Sequence, residues 1–197
     1  MSILKKSILD SVEAKNSLLL IEKEINTVIN IIVKKIKNGG KVFLCGNGGS
    51  AADAQHLAAE FLVRLRPQIN RYPIPALSLA TDTSTLTACS NDFSFTKIFS
   101  RNLQALGSLK DVLIVLSTSG NSLNILDVLK VAKKKRIFTI GFLGNKGGKA
   151  KKLCNIKLIV RSSATSRIQE SHIFLGHHII ENVENKLLKK IRQKYNQ

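Results

Sequence analysis

Apolar residues fall at helical spacing near the start of the chain. Leu18, Leu19, Ile21, Ile25, Val28, Ile29, Ile32, Val33 and Ile36 share a face that Glu22, Glu24, Lys34 and Lys35 interrupt. A period near 3.6 predicts helix from residue 3 to about 38, in one piece or two, ended by Gly39-Gly40. So apolar a segment needs cover, and packing both on the rest of the chain and on a neighbouring subunit is expected. Beyond Gly40 the pattern changes to short apolar runs. Those at 41–45, 75–80, 111–116, 137–143 and 156–160 predict strands. Between them, helices are expected at 50–64, at 83–91 with an extension as far as 106, at 121–135, and briefly at 147–153. A long last helix is expected at about 168–194. Val112-Leu113-Ile114-Val115-Leu116 is apolar throughout, as in parallel strands covered on both faces. The alternation of strand and helix predicts an α/β fold: a doubly wound, mostly parallel five-stranded sheet flanked by helices. No repeat or low-complexity linker divides the chain, and Arg66 to Pro73 reads as a surface loop, so residues 1–197 are expected to form a single domain.

Composition excludes several classes. No apolar run reaches ~18 residues, so no transmembrane helix is expected. Asp10, Glu13 and Lys15 interrupt the apolar stretch a secretory signal requires. Cys45, Cys89 and Cys154 are odd in number and spaced like no metal motif, which suits reduced thiols in the cytoplasm. The net charge of +18 raises the question of a nucleic-acid partner. The cations, however, are spread over Lys34-Lys35, Lys133 to Arg136, Lys149 to Lys152 and Lys189 to Lys194. Aromatics make up only 5% and tryptophan is absent, so a base-stacking surface is poorly supplied. The charge reads as solvated lysine faces that steer anionic small molecules inward.

Three segments could carry chemistry. Cys45-Gly46-Asn47-Gly48-Gly49-Ser50 follows a strand and opens a helix bearing His56 and Glu60, four residues apart and so on one face. Backbone N–H groups at such a helix start favour anions and sugar hydroxyls. Ser117-Thr118-Ser119-Gly120-Asn121-Ser122 repeats the arrangement after the strand at 111–116. Its hydroxyls suit a monophosphate ester, since the lysine and spacing of a triphosphate loop are missing. The competing role is ordinary helix capping by serine. The third segment is Arg167-Ile168-Gln169-Glu170-Ser171-His172, with His177 downstream. Gln169 and His177 are separated by about 12 Å of helical rise, so spacing alone does not unite them.

Taken together, CGNGGS followed by HLAAE, Ser90-Asn91-Asp92, STSGNS and RIQESH with its later histidine resemble the sugar isomerase (SIS) superfamily. The combination is most similar to its phosphoheptose isomerase group, over nearly the whole chain. The resemblance implies a homotetramer with active sites between subunits, which would also bridge the separation between the His56 helix and the last helix. It implies interconversion of D-sedoheptulose 7-phosphate and D-glycero-D-manno-heptose 7-phosphate, the first step towards heptose for lipopolysaccharide or capsule. It implies one zinc ion per subunit, with His56, Glu60, Gln169 and His177 as ligands. Asn47, Gly48, Gly49, Asn91 and Asp92 would hold sugar hydroxyls. Ser117, Thr118, Ser119 and Ser122 would take the phosphate, and Gln169 and Glu60 would face the substrate. Ser50 and Arg64 are further substrate-binding candidates.

Moving a proton between two adjacent carbons through an enediol(ate) needs a base by the carbon and an acid near the oxygens. Glu60 is the expected base and His177 its acid/base partner. A metal-bound carboxylate is a weaker base, so Glu60 as base, ligand or both stays open. Ser166 stands where some relatives carry aspartate, which removes any proton relay through a carboxylate there. The alternative is a non-catalytic SIS tetramer that binds a replication initiator protein. Retention of Glu60, Gln169 and His177 speaks for the enzyme.

Overall fold

Helix α1 (Ile3–Asn16) starts where Ser2 Oγ accepts the Lys5 N–H, and a 3₁₀ turn at Ser17–Ile21 joins it to α2 (Glu22–Lys37). Glu22 and Glu24 in the first turn of α2 and Lys34, Lys35 and Lys37 in its last complement the helix dipole. The structure, a computed structural model, describes the backbone of residues 1–195 and the side chains of residues 1–188. The Lys189 to Lys194 cluster lies outside the described side chains.

Five strands follow in βα order: β1 (Val42–Cys45), β2 (Ala76–Ser78), β3 (Val112–Ser117), β4 (Phe138–Gly144) and β5 (Ile156–Val160). All pair in parallel in the order β2-β1-β3-β4-β5. The intervening helices are α3 (Gly49–Leu62), α4 (Thr83–Asp92), α5 (Ile98–Leu106) and α6 (Leu123–Lys134), and α7 (Thr165–Tyr195) closes the chain. Alternate strand residues serve opposite faces. Val42, Leu44, Ile114 and Phe142 pack under α2, α3 and α7. Phe43, Cys45, Leu113, Val115 and Leu143 pack under α4, α5 and α6. This is the doubly wound α/β fold the alternation predicts. Among the described residues no helix is long and apolar enough to cross a membrane.

Three elements differ from expectation. The helix at 83–91 does not extend to 106: it ends at Asp92, and a 3₁₀ turn at Phe95–Lys97 precedes α5. The Phe93 and Ser94 N–H groups both bond Cys89 O as Phe93 leaves helical dihedrals (φ −125°, ψ −81°), which closes the helix. The segment at 147–153 is helical only as a 3₁₀ turn at Ala150–Lys152. Its amides are spent elsewhere: Ala150 N–H donates to Gly120 O at 2.9 Å and Lys149 N–H to Asn121 Oδ1 at 3.0 Å, docking it on the serine-rich turn. Finally, α7 begins at Thr165 rather than 168, so Gln169 lies inside the helix.

On the buried side of α7, His172 is fully enclosed, its ring 6.0 Å from that of Phe142. Burial pushes its pKa from 6.5 down to about 4, against a smaller upward pull from the Leu143 backbone. Below pH 6.5 the unfolded chain takes up a proton that the folded chain refuses, so stability falls between pH 6.5 and 4 and is unaffected by this group above 6.5. Urea denaturation should lose about 2 kcal/mol between pH 7 and pH 5 through this residue, and His172→Leu should remove that part of the loss. An unchanged pH slope in the variant would exclude His172 as its source.

Candidate active site

The chain leaves β1 towards β2 and later returns to place β3 on β1's other side. At such a reversal the connections diverge and open a crevice at the carboxyl ends of the strands. Both glycine- and serine-rich turns sit there, one after β1 and one after β3. They are joined by their asparagines. Asn47 Nδ2 donates to Asn124 Oδ1 at 2.9 Å, and Asn124 Nδ2 returns a bond to Asn47 Oδ1 at 2.8 Å. Asn124 is buried at the start of α6, so it fixes the height of the first turn against the second.

Each turn is shaped by its own sequence. Gly48 has φ +54° and ψ −124°, a conformation that side chains disfavour, and the α3 ladder begins at once with Ala52 N–H bonding Gly48 O. In the second turn Ser117 Oγ accepts the Gly120 N–H at 3.0 Å and Ser119 Oγ accepts the Asn121 N–H at 3.2 Å. Ser122 occupies the N-cap of α6 and makes no side-chain cap bond. Capping, the ordinary role for these serines, is therefore not what Ser122 does. Thr118 is half-buried and Ser119 is exposed at the crevice edge.

The helix face comes from α3 and α7, which run side by side in the same direction. Gly49 meets Gln169 near the start of both. A Cβ at Gly49 would stand 2.7 Å from Gln169 Nε2, and one at Gly176 would collide with Leu57. Seven residues past Gly49 and eight past Gln169, His56 Nε2 and His177 Nε2 lie 2.8 Å apart. Glu60 Oε1 is 3.5 Å from His56 Nε2. The donor atoms of His56, Glu60 and His177 all lie within 4.8 Å of one another. The two helices thus meet within one chain, and no second subunit is needed to bring His56 to His177, contrary to expectation.

The trio has the chemistry of a metal site. Tetrahedral zinc at ~2.0–2.1 Å from each nitrogen places donors roughly 3.3 Å apart, so the imidazoles need open by only a few tenths of an ångström. Burial and the adjacent His56 hold the His177 pKa below its ordinary value, with Glu60 pulling the other way; the shift is towards the neutral ring, the form that donates a lone pair to a metal. Gln169, two turns before His177 on α7, sits against Gly49 at the start of α3. Asn91 and Asp92 lie exposed at the end of α4, bonded to each other. Arg64 is exposed just beyond α3, and Ser50 is buried in its first turn.

Four residues escaped the sequence reading. Asn124 has no signal beyond following the serine turn. Asp53, one turn before His56, has Oδ2 buried without a hydrogen-bond partner, and burial raises its pKa while His56 opposes the rise. Arg71 and Glu184 form a buried ion pair behind the site. Glu184 was detectable as an acid among Ile180, Val183 and Leu187 on the apolar side of α7.

The SIS domain family profile matches residues 6–144 of this chain. The phosphoheptose isomerase of Clostridium acetobutylicum is 46% identical over 188 residues, covering 93% of this chain and 94% of that protein. Solved phosphoheptose isomerases from Neisseria gonorrhoeae (TM-score 0.86, 36% identity, 92% of this chain and 97% of that one) and Francisella tularensis (0.87, 33%, 94% and 100%) share the fold. The chain belongs to the phosphoheptose isomerase family, and it is an enzyme of the isomerase type.

Because Gly48 alone tolerates its backbone conformation, Gly48→Ala should cost about 1–3 kcal/mol in urea denaturation. A variant as stable as the parent would show that the turn is not strained.

Proposed function

We propose that this protein interconverts D-sedoheptulose 7-phosphate and D-glycero-D-manno-heptose 7-phosphate, supplying heptose for a bacterial surface polysaccharide. The observation that carries the reading is the His56, Glu60 and His177 cluster beside a hydroxyl-rich switch-point turn, in a chain 46% identical to a phosphoheptose isomerase. The phosphate is held by Ser117, Thr118, Ser119 and Ser122 with the start of α6, where the helix dipole favours an anion. Asn47, Gly48, Gly49, Asn91 and Asp92 take sugar hydroxyls, with Ser50 in the first turn of α3 and Arg64 just beyond it as further contacts. The +18 charge steers the phosphorylated sugar towards the crevice.

Glu60 removes the proton from C1 of the ketose and returns it at C2, so that an enediolate lies between substrate and product. His177 moves the proton between the two oxygens. Zinc, when bound by His56, Glu60 and His177, polarises the carbonyl and stabilises negative charge on its oxygen. Gln169, at the Gly49 end of the α3–α7 seam, faces the substrate oxygens or adds a fourth donor. The site lies in the cytoplasm in this reading. The chain assembles as a homotetramer through the exposed apolar residues of its N-terminal helix, among them Ile3, Leu4, Ile8 and Leu9.

Glu60→Gln should lower kcat for sedoheptulose 7-phosphate by ~10²–10⁴. Zinc content measured on the same sample separates loss of the base from loss of the metal. Near-parental turnover in that variant rejects the base. Ser119→Ala should raise KM more than it lowers kcat, because the phosphate is remote from the reacting carbons; an unchanged KM removes Ser119 from the phosphate site. Chelation should abolish turnover and added zinc restore it, and turnover that ignores chelation would remove the metal from the mechanism.

A further inference from the structure

Behind the site the loop from Val63 to Pro75 is pinned to α7 by a carboxylate that water does not reach. Glu184 is fully buried, two helical turns past His177. Its Oε1 accepts from Arg71 Nε at 2.6 Å and from the Leu65 N–H at 3.4 Å, and its Oε2 accepts from Arg66 Nε at 3.1 Å. The two arginines differ in what else they hold. Arg66 turns its remaining N–H groups to Glu181 and Asn185, both on α7. Arg71, whose side chain is only 4% exposed, reaches back to α3. Its Nη2 donates to Glu60 O at 2.7 Å and its Nη1 to Phe61 O at 2.9 Å.

Carbonyls in the last turn of a helix have no intrahelical partner. A guanidinium meets several acceptors at once in a fixed plane, which an ammonium cannot do. Arg71 therefore grips the backbone of the residue that carries the reacting carboxylate. The other edge of the same guanidinium is held by the helix that carries His177. We propose that Arg71, anchored by Glu184, is a positioning residue that sets Glu60 at its working distance from His177 and the substrate carbon. This rests on the isomerase reading above, in which Glu60 is the base.

The test compares Arg71→Lys with Arg66→Lys, both assayed on sedoheptulose 7-phosphate with equal added zinc and both checked for folding by circular dichroism. Each keeps a cation beside Glu184. Only Arg71→Lys gives up the grip on the Glu60 and Phe61 carbonyls. Arg71→Lys should lower kcat about tenfold or more with KM within about threefold, since small misplacements of a reacting group are costly. Arg66→Lys should stay near the parent in both. Equal losses in the two variants, or parental kcat in Arg71→Lys, overturn the proposal and reduce the pair to a structural clamp. If Arg71→Lys does not fold, Glu184→Gln decides on the same readout, because it keeps the shape and one acceptor oxygen while loosening Arg71. A kcat loss at held KM supports the proposal, and parental kcat overturns it. Glu60→Gln in the same series tells the two levels apart. An inactive Glu60→Gln with a fully active Arg71→Lys sinks the positioning role alone, whereas an active Glu60→Gln sinks the base assignment and the positioning role together.

Discussion

His56 and Glu60 stand on α3 and His177 on α7, so the three stay clustered only if those helices keep their register. In this protein that register is the seam between α3 and α7. Gly49 against Gln169 and Gly176 against Leu57 let the two backbones approach closely. Close parallel packing then puts residues at matching heights side by side, and His56 meets His177 for that reason. Leu57, Leu175, Ile179 and Phe61 bury the same seam against the sheet. Hydrophobic burial is non-directional, so it holds the helices together without setting their height. The polar contact beyond the cluster, Arg71 with Glu184, is directional and supplies what burial does not.

The crevice has a different origin. Its position follows from strand order alone, since β2 and β3 flank β1 on opposite sides. What fills it is decided by two turns of related design, each a strand end followed by small residues and a helix start. Two reciprocal bonds between Asn47 and Asn124 tie the turn after β1 to the turn after β3.

Much of this was legible in the chain. Strands with no polar face, such as Val112 to Leu116, announce a covered parallel sheet, and each of the five expected strands is present. His56 and Glu60 were readable as a pair because a helix repeats within one segment. His177 was readable only through family resemblance. Its distance from His56, 121 positions along the chain, is closed by tertiary packing that no local spacing encodes. The break after Asp92 was hidden because apolar Phe93, Phe95, Ile98 and Phe99 continue the helical pattern past the point where Phe93 leaves helical dihedrals. Arg66 to Pro73 looked like a solvent loop because arginine and proline are usually exposed. The segment is such a loop, exposed at Pro67, Gln68, Asn70, Tyr72 and Pro73, but Arg71 and Arg66 turn inward to the buried Glu184, 113 and 118 positions away.

Burying a carboxylate is expensive, and a pair of arginines offsets the desolvation only when the geometry is good. Stability alone is a weak reason for such a triad, since apolar side chains of similar volume would fill the same space at no electrostatic cost. Conformational specificity is a better one. Apolar packing tolerates sliding of one helix along another, whereas a carboxylate that accepts from two guanidinium groups, one on each oxygen, does not. The cluster of His56, Glu60 and His177 lies at the middle of the seam and is half-exposed, so it cannot fix its own geometry. Rigidity has to be imported from behind it, and the only buried charge pair among the described residues that touches both helices is the one between Arg71 and Glu184.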